Sequence, residues 1–122
     1  MNRLKLFVLL LFAIATITAC VASKPARYVI AESKTYEASL FRQNCAICHG
    51  PEAEGKTLDD GRVVPNLRQG DFKYKTDEHI YSHISDGGNG MVPFRSQLTR
   101  REINLLVDLV QHELRSGQNR LR

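Results

Sequence analysis

The sequence lacks an apolar run long enough to cross a membrane. Its longest run, Leu6–Ile17, is shorter than the roughly 17–25 residues that a membrane-spanning helix needs. The run follows a cationic start at Arg3 and Lys5 and leads into small residues that end at Ala19, which is the layout of a secretory signal. We therefore predict that residues 1–19 are a signal peptide and that the mature protein works outside the cytoplasm.

Cysteine is scarce, with three in 122 residues. In an exported chain an odd number leaves one thiol unpaired, so that thiol needs a role. Cys20 follows Ile17-Thr18-Ala19, and these four residues resemble the lipobox of bacterial lipoproteins, in which the cysteine is acylated. We expect Cys20 to be lipidated, to start the mature chain and to hold it at a membrane. Soluble export with an unmodified Cys20 is the alternative.

A large excess of basic over acidic residues is also missing once the signal segment is removed. The whole chain has 17 basic and 13 acidic residues, and two of the basic residues lie in the signal segment. The small remaining excess removes the main support for a nucleic-acid partner, and we predict none.

No stretch alternates as a strand does, and no segment repeats. The apolar spacing instead predicts three helices: one capped by Thr35, one opened by Thr76 and ending before Gly87, and one capped by Thr99. Residues 50–70 are rich in glycine and proline and poor in apolar residues, so we expect a long loop there. The predicted fold is all-α, with short helices and long loops.

The last helix has the clearest pattern. Its apolar stripe consists of Ile103, Leu106, Val107, Val110 and Leu114. Its polar face consists of Arg101, Asn104, Asp108, Gln111 and Arg115.

The domain boundaries follow from these patterns. Residues 20–34 have scattered charges and no sustained period, so we predict a lipid anchor and tether there. The folded domain is then 35–116, followed by a C-terminal tail over 117–122.

Cys45–His49 places two thiols directly before a histidine. At this spacing both thiols can add to the two vinyl groups of a haem while the next side chain reaches the iron. We predict one covalent haem c, attached through Cys45 and Cys48, with His49 as the proximal ligand. The alternatives are a structural disulfide, a thioredoxin-like redox pair and half of a zinc site. The redox pair would require a strand before the motif, and the zinc site would require a second pair of ligands at short spacing. The sequence shows neither.

Methionine is scarce as well, and Met91 is the only one outside the signal segment. It lies in a glycine-rich loop that can approach a porphyrin closely. A thioether raises the reduction potential of haem relative to two imidazoles. We predict Met91 as the distal ligand, with His79 or His83 as the alternatives. Apart from that role, these two histidines and His112 are interpreted as ordinary polar residues.

Five features occur in an order that resembles the class I cytochrome c family: Phe41, Cys45–Gly50, Pro65–Leu67, Met91–Phe94 and a final apolar helix. The similarity spans about 35–115. It implies a small cytochrome c fold wrapped around one haem, and electron transfer as the function. It also implies that the Pro65 carbonyl accepts a hydrogen bond from the free ring nitrogen of His49, and that Leu67 lines the haem pocket.

One part of the family pattern is missing. In this family the first and last helices cross at a close contact, usually between a glycine and an aromatic residue. Glu37 stands where the glycine is expected, and Asp108-Leu109 lies near the place of the aromatic residue. The crossing is therefore expected to be looser or to use Ala38.

The predicted function is single-electron transfer between redox partner proteins, in the periplasm or on the outer face of a membrane. The alternatives are a tethered haem subunit of a larger dehydrogenase or reductase complex, and a haem peroxidase, which needs an open distal site. An acidic partner would suit a basic rim, with a merely solvated surface as the alternative. The candidates for the rim are Arg68, Lys73, Lys75, Arg95, Arg100 and Arg101.

Overall fold

The computed structural model describes residues 3–5, 7–8 and 27–116. The predicted signal cleavage, the lipidation of Cys20 and the tail over 117–122 lie outside the described residues. The elements are α1 (Tyr36–Asn44), α2 (Ala46–His49), β1 (Lys56–Thr57), β2 (Val63–Val64), α3 (Asp77–Asp86), α4 (Arg100–Asp108) and a π-helical segment (Leu109–Leu114). Over the described ranges no helix is both long and apolar enough to cross a membrane.

The helix starts agree with the sequence prediction, although one cap works differently. The Thr76 hydroxyl accepts the backbone N–H of His79 at 3.3 Å, as an N-cap does. Thr99 and Glu102 form a reciprocal capping box. Thr35 precedes α1, but its side chain makes no capping hydrogen bond. Its hydroxyl lies 3.0 Å from the Tyr28 hydroxyl instead.

The predicted loop over 50–70 contains a small antiparallel hairpin. Lys56 on β1 pairs with Val64 on β2, and Thr57 pairs with Val63. Strands of two residues are too short to leave an alternating pattern in the sequence, which is why the prediction contained no strand. The hairpin does not change the fold class.

The core lies between α1, α3, α4 and the π-helical segment. Helix α1 packs against α4, and Ala38 on α1 is fully buried. The largest fully buried side chains are Phe41, Ile30, Ile103, Leu106 and Leu109.

Residues 27–34, predicted as tether, pack onto the domain. The Ile30 side chain is fully buried. The backbone N–H groups of Ile30 and Ala31 donate to the two carboxylate oxygens of Glu52, at 3.0 and 2.8 Å. The packed structure therefore begins before Thr35. These partners are far apart in sequence, so spacing alone could not reveal them.

Two arginines that the sequence places at the surface are buried. Arg68 is 4% exposed and pairs with the Glu52 carboxylate at 2.8 Å, so it cannot belong to a basic rim. Arg115 is 7% exposed and lies over the Phe72 ring at 3.9 Å. A π-helix has more residues per turn than an α-helix. The side chains that follow residues 109–114 are therefore rotated about the helix axis relative to an α-helix, and Arg115 no longer lies on the polar face.

Candidate haem site

The haem motif lies directly after α1: Cys45 joins α1 to α2, and Ala46–His49 form α2. Cys45 is half-buried, Cys48 is exposed, and both thiols are free rather than joined in a disulfide. Burial raises the pKa of Cys45 to about 12, and the charge of Cys48 adds to this shift. Because neither thiol is in a disulfide, both are available for attachment.

The His49 imidazole is half-buried at the end of α2. Burial lowers its pKa; the Pro65 backbone carbonyl acts in the opposite direction, and the charge of His83 lowers the pKa further. The Nδ1 atom is buried, and within the described part of the chain no group meets it with the geometry of a hydrogen bond. Because a buried polar atom without a partner is unfavourable, this ring is suited to a further interaction that fixes its position.

Gly55 brings the Pro65 segment close to the loop that follows His49. The Gly55 N–H donates to the His49 carbonyl at 2.8 Å, and Gly55 has a φ of 76°. A Cβ atom at this position would lie 2.8 Å from the Pro65 carbonyl carbon. Beside it, the Leu67 N–H donates to the Ala53 carbonyl at 2.9 Å, and Leu67 packs against the core.

Met91 is half-buried and contacts the edge of the core. Its backbone exchanges two hydrogen bonds with Gly88, at 2.9 and 3.0 Å, which closes a tight turn. Gly87, with a φ of 73°, lies directly beneath this turn. A Cβ atom there would lie 2.6 Å from the Met91 carbonyl oxygen, so only glycine permits this approach.

Two polar side chains hold the same turn from outside. The Arg62 guanidinium, which is ion-paired with Asp60 at 2.7 Å, donates to the Gly90 carbonyl at 3.2 Å. The Asn89 side-chain amide donates to the Tyr74 hydroxyl at 2.7 Å. The hairpin loop and the segment before α3 therefore both contact the turn that carries Met91.

The remaining histidines occupy different environments. His79 is exposed, and His112 is an exposed partner of Asp77 at 3.8 Å. The His83 ring is half-buried and stacks on the Tyr74 ring, with 4.3 Å between the centroids. Over residues 27–116 no group of three or more His, Cys, Asp or Glu side chains could hold a metal ion by itself.

These residues fit a covalent haem. Two free thiols adjoin an imidazole with an unpartnered buried nitrogen, and a thioether lies on a turn that a glycine allows to pack closely. A second imidazole, that of His83, lies close enough to affect the His49 pKa. Such a donor set is typical of a haem site with two axial ligands from the protein. The site defines the class: a small all-α protein that binds haem c.

The comparison with protein families identifies the family. Residues 36–110 match the family described as cytochrome C oxidase, cbb3-type, subunit III, a family of c-type cytochromes. The chain belongs to this family, and its cofactor is covalently bound haem c with iron. It is a cytochrome c-type electron-transfer protein related to the cbb3 oxidase subunit.

A curated relative and solved structures agree with this assignment. The chain is similar to the cbb3-type cytochrome c oxidase subunit FixP of Sinorhizobium medicae (strain WSM419), with 36% identity over 77 residues. The match covers 54% of this chain and 25% of the relative, so the chain spans about a quarter of that protein's length. The structure resembles the KustC0563 c-type cytochrome, with 32% identity and a TM-score of 0.53, over 60% of this chain and 90% of the other.

A point variant of the same cytochrome gives a TM-score of 0.55 at 31% identity. That match covers 64% of this chain and 98% of the other. The small cytochrome c fold predicted from the sequence is confirmed.

Several residues around the site were not predicted. Gly55, Gly87, Arg62 and Tyr74 have no motif of their own, and only the two glycines could have been suspected, as residues that allow close backbone approach. Of the candidates for a basic rim, all but Arg68 are exposed: Lys73, Lys75, Arg95, Arg100 and Arg101. Arg95 is paired with Asp86 at 3.2 Å.

Proposed function

We propose that this chain is a single-electron carrier with one haem c ligated by His49 and Met91, attached through Cys45 and Cys48. The observation that carries the proposal is the His49 ring, whose buried Nδ1 has no partner in the described part of the chain while two free thiols precede it. Haem c supplies an iron that cycles between the ferrous and ferric states.

On the proximal side, the protein orients His49. The Pro65 carbonyl raises the pKa of this imidazole, and we assign it as the acceptor of a hydrogen bond from Nδ1 in the haem-bound protein. Such a bond fixes the tautomer and leaves Nε2 for the iron. Leu67, whose backbone N–H donates to the Ala53 carbonyl, would line the haem pocket.

On the distal side, the turn from Gly88 to Met91 presents the thioether. His49 and Met91 would both hold the iron, and with both in place substrates would be kept from it, which favours electron transfer over peroxidase chemistry. A thioether also gives a higher reduction potential than a second imidazole would.

Partners would meet the protein near the attached haem. Ile47, between the two cysteines, is 74% exposed, and Val92, beside Met91, is 58% exposed. Redox encounters use small interfaces, so a few exposed side chains of this kind are enough for a partner to dock. We place the protein in the periplasm or on the outer face of a membrane, attached through a lipid on Cys20.

The absorption spectrum of the purified ferric protein tests the ligand set. A Met–Fe(III) bond gives a weak far-red band, which we expect in the unaltered protein and expect to vanish in Met91→Ala. The neighbouring variant Val92→Ala is the control and should keep the band. A high-spin spectrum from the unaltered protein would contradict the carrier function. Survival of the band in Met91→Ala would show that another residue is the ligand.

A second function, as a haem subunit of a larger redox complex, is favoured by the similarity to an oxidase subunit over a quarter of that relative's length. Affinity purification from gently solubilised native membranes separates the two possibilities. Stoichiometric co-purification of a larger redox enzyme would indicate a subunit, whereas recovery of the isolated cytochrome indicates a carrier.

The lipid anchor has its own test. Acylated Cys20 should place the protein in the membrane fraction, and Cys20→Ser should release it with an unchanged haem spectrum. Recovery of the unaltered protein only in the soluble fraction would contradict the anchor.

A further inference from the structure

Tyr74 contacts both α3, through His83, and the turn that carries Met91, through Asn89. Its ring stacks on His83, with the ring planes 26° apart. Its hydroxyl accepts a hydrogen bond from the Asn89 amide at 2.7 Å. Its backbone carbonyl accepts one from the buried Arg115 guanidinium at 2.8 Å. Tyr74 is therefore held through its backbone, its ring and its hydroxyl at once.

Asn89 belongs to the turn that carries Met91. It has a φ of 51°, a left-handed conformation that asparagine tolerates better than most residues. The turn around it closes through the two backbone hydrogen bonds between Gly88 and Met91. The bond from Asn89 to Tyr74 therefore restrains the part of the chain that positions the thioether.

His83 is a second potential iron ligand within the same region. It lies on α3 one turn before Gly87, and its N-terminal neighbours on α3 include buried Ile80. An imidazole binds haem iron well, and replacing a thioether by an imidazole lowers the reduction potential. Stacking on Tyr74 occupies one face of the His83 ring.

We propose that Tyr74 selects Met91 over His83 as the distal ligand. It does so in two ways: ring stacking keeps the His83 imidazole beside Tyr74, and the hydroxyl holds the Met91 turn through Asn89. Arg115 keeps the Tyr74 backbone in place from the π-helical segment. This inference rests on the proposed ligation by Met91, and it makes Tyr74 a positioning residue rather than a ligand.

Replacing Tyr74 tests the selection in the purified holoprotein. In Tyr74→Ala we expect loss of the far-red band, a low-spin ferric spectrum with the electron paramagnetic resonance signature of two imidazoles, and a lower reduction potential. In the double variant Tyr74→Ala/His83→Ala the competing imidazole is absent, so the far-red band and the higher potential should return. Tyr36→Phe, at a tyrosine on α1, is the control and should change neither reading.

Tyr74→Phe separates the two contributions, because it keeps the stacked ring and removes the hydroxyl. It should retain the far-red band but allow added imidazole to displace Met91 at a lower concentration, and Asn89→Ala should do the same. These milder variants keep the proposal testable if Tyr74→Ala fails to fold. An unchanged imidazole affinity in both would then contradict it.

Two other outcomes would overturn the selection. Either Tyr74→Ala keeps the far-red band and its potential, or it loses the band equally with and without His83. The second result would mean that Tyr74 merely supports the fold. A failure of the proposed function is distinguishable, since the unaltered protein would then lack the band before any change at Tyr74.

Discussion

The Tyr36 hydroxyl on α1 donates a hydrogen bond to a Glu102 carboxylate oxygen on α4, 2.5 Å away. The two residues lie in the first turns of the helices that cross, at which this chain lacks the glycine and the aromatic residue usual in the family. The same carboxylate also accepts from the Thr99 backbone and hydroxyl. Glu102 therefore caps its own helix and connects it to the other.

This contact predicts sensitivity to acid. The hydrogen bond from Tyr36 and, to a smaller extent, those from Thr99 lower the pKa of Glu102 from 4.5 to about 2. A lowered pKa in the folded state stabilises the fold above about pH 4.5, and this contribution is lost as the pH falls towards 2. In Glu102→Gln the free energy of unfolding should fall less steeply with pH over this window, as measured by chemical denaturation. Glu113→Gln, at an exposed carboxylate, is the control and should retain the steep dependence.

The buried pair Arg68–Glu52 should matter far more to stability than an exposed pair nearby. Glu52→Gln leaves the Arg68 charge buried without its partner, at a cost of about 3–5 kcal/mol of unfolding free energy. The exposed pair Arg27–Glu54, 3.5 Å apart, provides the control. There, Glu54→Gln should cost at most about 1 kcal/mol. Similar losses in the two variants would show that burial of the Arg68–Glu52 pair does not increase its importance for stability.

Gly87→Ala should disturb Met91 specifically. Both Gly87 and Gly61 have positive φ, at 73° and 84°, but only Gly87 has backbone atoms where a Cβ would be placed. Gly61→Ala should therefore cost only the left-handed conformation, about 1–2 kcal/mol. Gly87→Ala should cost more and also weaken the far-red band. Equal effects on stability, with an unchanged band, would mean that the close approach has no role in positioning Met91.

Attachment through two thiols predicts a graded result. Cys45→Ala or Cys48→Ala should leave a haem that is held by one thioether and retains one free vinyl group, which shifts the pyridine haemochrome spectrum. The double variant should release its haem under denaturing conditions, as seen by haem staining of a gel. Ser82→Ala, at an exposed position on α3, is a suitable control. Covalent haem in the double variant would disprove the assigned attachment.

The sequence alone determined the all-α fold class, the residues at which the helices begin and the haem motif. These features depend on interactions between residues that are close in the chain. The Thr76 and Thr99 caps and the apolar stripe of α4 involve residues within a turn or two of one another. The spacing of Cys45, Cys48 and His49 is likewise a local property that chemistry constrains directly. The family assignment and the confirmed all-α fold agree with these features.

The tertiary structure decided what lies around them. Glu52 holds the segment at Ile30, and Tyr74 contacts Asn89, although each pair is separated by many residues. The burial of Arg115 depends on a local change from α- to π-helical winding, which an apolar pattern with α-helical period cannot show. Contacts between distant residues depend on how the whole chain packs, so neither spacing nor composition reveals which side chains contact the Met91 turn and the His83 ring.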